Sequence, residues 1–105
     1  MVENNSFFLA LQYMEFAGEG ILYLLRNMNL EERTKLYEKN REMFWKYDAI
    51  ISEKGSVDEM TQISAPIRTC IEFEKNPNVM FDGLFASYVA TVAGIQRYIQ
   101  LKNWE

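Results

Sequence analysis

The sequence predicts an all-α fold, an antiparallel up-down-up-down four-helix bundle with the third helix kinked at Pro66. Three observations carry that expectation. Apolar residues recur at steps of three and four along four stretches of roughly 20 residues, the spacing of one helix face. Helix breakers are scarce, with 5 Gly and 2 Pro in 105 residues. Cap and turn signals separate the stretches, leaving short connections that favour antiparallel neighbours. Residues 1–105 are expected to make a single domain, since chains divide into separate cores only well above this length.

The first stretch runs from about Ser6, placed as an N-cap hydroxyl, to Met28. Phe7, Ala10, Met14, Ala17, Ile21, Leu24 and Met28 share one face. Gly18 and Gly20 each cost about 1 kcal/mol against Ala in a helix interior. Packing has to offset that cost, through a kink or by admitting a neighbouring backbone.

The second stretch is bounded by Asn29 and Glu32, spaced as a capping box, and by Gly55 as a C-terminal stop. Leu36, Tyr37, Met43, Phe44, Tyr47, Ile50 and Ile51 form a broad apolar stripe. Glu31–Lys35 and Glu42–Lys46 are i,i+4 pairs on the other face, as an outer helix would carry.

Ser56 and Glu59 repeat the capping-box spacing at the start of the third stretch. Val57, Met60, Ile63, Ile67, Cys70 and Ile71 hold helical phase through Pro66. One kinked helix to about Lys75 is therefore expected, with a break at Ser64-Ala65 as the alternative. Asn76-Pro77-Asn78 is a turn signal.

The fourth stretch begins at Asp82, read as an N-cap, and runs to about Asn103. Phe81, Phe85, Tyr88, Val92, Ile95 and Ile99 line one side, and Gly83, Ala86, Ala90, Ala93 and Gly94 make a face of small residues opposite. No charged side chain occurs from Gly83 to Gln96. That run is too short to cross a bilayer, so it reads as a helix surrounded by protein.

Composition removes several function classes. With 15 acidic and 11 basic residues the net charge is −4, and the charges of the second stretch are interspersed, so no phosphate track for nucleic acid is expected. The absence of His removes the commonest general base and metal ligand, together with the Glu-x-x-His motif of diiron bundles. No Glu has an acid three residues later, which disfavours the paired-carboxylate magnesium site of small helical pyrophosphohydrolases. Glu15 and Glu19 lie one turn apart but read as a solvated face, and Gly18-Glu19-Gly20 lacks the context of a phosphate loop. Cys70 is the single cysteine, on an apolar seam where a thiol is inert. No catalytic residue, cofactor or metal is expected. A start without a basic segment and the lack of any long apolar run point to a cytoplasmic protein with no membrane partner.

What remains is an excess of apolar surface. Leu9, Tyr13, Phe16, Gly20 and Tyr23 form a second stripe on the first stretch, beside its core face. In an up-down bundle the first and last helices are neighbours, so this stripe and the small-residue face of the fourth merge into one patch. A second copy is the simplest cover, giving a homodimer interface of Leu9, Tyr13, Phe16, Gly20, Tyr23, Ala86, Ala90, Ala93 and Gly94. Trp45 points into the charged face beside Glu38 and Arg41, whose guanidinium can stack on the indole, and these three are the expected contact with a further, unidentified protein. The leading expectation is a non-enzymatic protein-interaction module: a regulator, inhibitor or adaptor. The alternative is a helical sensor or carrier holding an apolar ligand among Tyr13, Phe16, Tyr23 and Tyr88, near Ala90 and Gly94.

Overall fold

The computed structural model describes the backbone of residues 2–104 and the side chains of residues 9, 10, 12, 14 and 17–104. The described chain is all-helical, with α1 (Val2–Leu25), α2 (Leu30–Lys54), α3 (Val57–Lys75) and α4 (Asp82–Leu101).

Local chemistry sets the starts of α2 and α3. The Asn29 carboxamide oxygen accepts from the Glu32 amide at 2.9 Å, and the Glu32 carboxylate accepts from the Asn29 amide at 3.1 Å. Ser56 and Glu59 repeat the arrangement at 3.2 and 3.0 Å. Each box satisfies two amides at a helix start, where the chain has no intrahelical acceptor. Gly55 ends α2 in extended conformation, its N–H donating to Ile51 O at 2.8 Å. A Cβ there would lie 2.8 Å from that same oxygen, which is why a residue without a side chain stops this helix. Between the caps, α3 runs through the buried Pro66 as one helix, so the break at Ser64-Ala65 does not occur.

The other ends depart from the sequence expectation. α1 begins by Val2, so Ser6 lies inside the helix and does not cap it, and the helix closes at Leu25, short of Met28. Asp82 is not an N-cap; Phe81 holds that position without a side-chain bond, and Asp82 stands in the first turn of α4. Its carboxylate meets Arg33 at 2.5 Å instead. Arg33 also donates to Leu25 O at 2.6 Å and Val79 O at 3.1 Å, and so ties the end of α1 and the 76–81 connection to the start of α4. At its far end α4 stops at Leu101, short of Asn103. Asn103 is left-handed at φ 57, and the amides of Asn103 and Trp104 donate back to Gln100 O and Ile99 O. This is a Schellman closure, in which Asn tolerates the left-handed position. It folds the Trp104 ring edge-on to Tyr98 at 5.8 Å.

The core gathers on α4. Phe85, Tyr88, Val92, Ile95, Tyr98 and Ile99 are buried, against Ala10 and Leu25 of α1, Phe44, Tyr47 and Ile51 of α2, and Ile63 and Cys70 of α3. Helix α4 touches all three other helices and packs most extensively on α1. Gly18 faces Ala90, a Cβ there falling 3.6 Å from the Ala90 Cβ, and Gly94 faces Met14. This register turns Leu25 inward and leaves Leu24 out, although the three-four count had put Leu24 on the core face. Phe81, expected on the α4 seam, is likewise exposed.

Candidate functional site

The most organised polar group lies where α2, α3 and α4 meet. Glu74 is near the end of α3, and its side chain is only 8% exposed. One carboxylate oxygen accepts from the Tyr88 hydroxyl at 2.5 Å, the other from the Tyr37 hydroxyl at 2.7 Å, with Arg41 Nε 3.5 Å away. A carboxylate this buried has to be paired or hydrogen-bonded, and here it is both. Burial first, then the hydrogen bond to Glu74, pushes the Tyr37 hydroxyl up to about 12, and the same causes raise Tyr88 well above the ordinary phenol range. Phe73 stacks on Tyr88 at 4.3 Å and on Phe85 at 6.2 Å, completing an aromatic cluster around the carboxylate.

Two grooves flank the first half of α4. The larger, about 590 Å³, lies between α3 and α4 along Arg68, Glu72, Phe73, Leu84, Ser87 and Tyr88. The other, about 500 Å³, lies between α1 and α4 and includes Met14, Gly18, Leu22, Gly83, Ser87 and Ala90. The exposed Ser87 borders both. Large apolar side chains stand in solvent around the Arg33 end: Tyr23 and Leu24 of α1, Leu30 of α2, Met80 and Phe81 of the connection, and Leu84 of α4.

The residues read as a dimer interface separate into two groups. Ala86, Ala90 and Gly94 are buried within the single chain, with Met14 and Gly18 of α1 over them, and Ala93 is half-buried. Leu9, Gly20 and Tyr23 face outward, Tyr23 at 68% exposure. Tyr13 and Phe16 lie outside the described side chains. Of the residues read as lining an apolar-ligand cavity, Tyr88 turns to Glu74 and Ala90 and Gly94 turn to α1.

On α2, Glu38, Arg41 and Trp45 all stay on the surface, Trp45 at 46% exposure. The indole lies 4.9 Å from the Phe44 ring, while Arg41 reaches toward Glu74. Glu19 is exposed, and Glu15 lies outside the described side chains. Among the described residues no three Asp, Glu or Cys side chains gather closely enough to hold a metal ion. Cys70 is fully buried, and burial, then Glu74 and Asp48, push its thiol up to about 12, so it stays protonated at neutral pH. No helix among the described residues is long and apolar enough to cross a membrane.

Sequence reasoning missed Glu74, Asn40 and the central role of Arg33. Asn40 is buried in α2 and donates to Leu36 O at 2.9 Å. A signal for Glu74 was present: Tyr37 and Tyr88 both sit on apolar stripes, and a buried phenol needs an acceptor. Nothing in the spacing says which acid supplies it. Comparison with protein-family models, with curated proteins and with solved structures finds no match.

Proposed function

We propose that this chain is a non-enzymatic protein-interaction module, a small regulator, inhibitor or adaptor that acts as a homodimer. The observation that carries the reading is the outward side of α1. Leu9, Gly20, Tyr23 and Leu24 are exposed there, Tyr23 and Leu24 at 68% and 61%. Met80, Phe81 and Leu84 extend the apolar surface near the start of α4. Exposed apolar surface of this extent is a feature of association sites. The interface drawn from this outward stripe omits Ala86, Ala90 and Gly94, which are buried within the single chain.

The reading takes the helices as an up-down-up-down bundle. Support comes from the pairs that meet: Met14 with Gly94 and Gly18 with Ala90 between α1 and α4, and Glu59 with Lys102 and Glu74 with Tyr88 between α3 and α4. In both helix pairs, moving forward along one helix moves backward along the other. The long dimension of 42 Å also suits helices laid side by side. In this reading Trp45, with Arg41 and Glu38, is the contact for a second protein, and the cytoplasm is the site of action.

Light scattering of the full chain after gel filtration tests the dimer. A dimer at micromolar concentration that Tyr23→Glu and Leu24→Glu convert to folded monomers supports it; a wild-type monomer overturns it. For the second surface, a Trp45→Ala chain that keeps its fold and every partner captured by wild type removes that face from the proposal.

A further inference from the structure

We propose that the cleft between α3 and α4 is a binding site for a small carboxylate with a flat apolar body. The cleft, about 590 Å³, has the size of sites that enclose drug-sized ligands. Its aromatic side is the half-buried Phe73 ring stacked with Tyr88, 12° from parallel. The one polar atom of Tyr88 is engaged by Glu74, so this side offers ring carbon and no competing hydroxyl. The opposite lip is Leu84, 59% exposed on a helix that is otherwise largely buried. A flat apolar group between Phe73 and Leu84 would cover both.

The polar rim selects the sign of the ligand. Glu72 is the acid of the cleft, and Lys75 Nζ lies 3.2 Å from its carboxylate. The Thr69 hydroxyl donates to Ala65 O at 3.0 Å. Arg68 and Ser87 also border the cleft, both exposed, and among the described residues their side chains have no protein partner. The groups left open are thus the Arg68 guanidinium, the Ser87 hydroxyl and the Asn76 carboxamide, beside an apolar wall. That is a donor set for a carboxylate, which the guanidinium fork can hold through two hydrogen bonds. The proposed site does not rest on the dimer, although Leu84 borders both the cleft and the apolar surface proposed for association.

Isothermal titration of the full chain with biphenylcarboxylate tests the site, with biphenylmethanol and biphenylmethylamine as neutral and cationic counterparts. Amide chemical-shift mapping locates the binding, and light scattering on the same samples reads the oligomeric state separately. The carboxylate is expected to bind about tenfold more tightly than the alcohol, with shifts at Arg68, Phe73, Leu84 and Ser87. Arg68→Gln, at an exposed position, is expected to abolish that preference while leaving the helical circular dichroism unchanged. Arg68→Lys keeps the charge without the fork and should fall between the two. Equal affinity for the three probes, shifts confined to other parts of the chain, no binding of the carboxylate, or an unaltered preference in a folded Arg68→Gln chain would each overturn the proposal.

Discussion

The Met14 side chain of α1 fills the space that a Cβ on Gly94 of α4 would occupy. The missing side chain is therefore part of how the two helices approach. Alanine at position 94 would gain about 1 kcal/mol of helix propensity. It would also force Met14 aside in a packed interface, an overpacking cost of about 1–3 kcal/mol. Gly20, in the same pair of helices, has nothing within 4 Å of a built Cβ. Urea unfolding should thus show Gly94→Ala destabilised by up to about 2 kcal/mol and Gly20→Ala stabilised by up to about 1 kcal/mol. Met14→Ala should reverse the sign of the Gly94→Ala effect. Shifts of the same sign for the two glycines would refute this packing.

Arg33 serves three segments through one planar group. Its side chain is 11% exposed, and it holds the carbonyls of Leu25 and Val79 together with the Asp82 carboxylate. Arg33→Met keeps most of the stem but strands those acceptors, at an expected loss of about 1.5–3 kcal/mol in thermal or urea unfolding. Arg33→Lys should recover only part, because a single ammonium cannot reach all of them in the fork geometry. Full recovery with lysine would reduce Arg33 to a point charge.

Glu74 with its two phenols should govern stability on the alkaline side. A folded-state pKa above the unfolded value means the contribution is complete below about pH 10 and declines as pH rises through the folded value. That value is about 12 for Tyr37 and higher for Tyr88. Phenolate absorbance should show both ionising only as helix content is lost. Tyr88→Phe leaves Glu74 short of one donor and should cost about 1–3 kcal/mol at neutral pH. Tyr37 and Tyr88 titrating normally in the folded protein would contradict the arrangement.

The acid side should depend on Glu59. Its carboxylate lies 2.6 Å from Lys102, with both side chains largely buried at 12% and 15% exposure. Lys102 first, and then the Ser56 amide, hold the Glu59 carboxyl below the usual range. The unfolded chain binds that proton more readily, so the contribution is complete above about pH 5 and is lost as pH falls through the folded value. Lys102→Met should lower neutral stability by about 1–3 kcal/mol and flatten the acid limb of a stability–pH curve. An unchanged acid limb would show that the pair does not control it.

Features governed by a few consecutive residues were legible in the chain. Asn29 with Glu32, and Ser56 with Glu59, are three positions apart, and each pair bonds to its own backbone, so the starts of α2 and α3 follow from spacing. The uncharged run from Gly83 to Gln96 marked α4 as the enclosed helix for a similar reason, since every member of that run contributes to one solvation term. The outward stripe at Leu9, Gly20 and Tyr23 on α1 was visible in the same way, as a property of one helix.

Partners across helices were not legible. Asp82 has the composition of a cap, yet it stands in the first turn and pairs with Arg33, 49 positions earlier. Nothing in the spacing sets Glu74 apart; its place is decided by Tyr37 and Tyr88, which close over it from α2 and α4. The choice between Leu24 and Leu25 for the core depended on how Gly18 and Met14 seat against Ala90 and Gly94. The two leucines stand about 100° apart around α1, so the rotation of that helix against α4 decides which of them is buried. Helical periodicity sets the faces of one helix, whereas the register between two helices is set by the summed fit of many side chains, and that sum exists only once the chain has closed on itself.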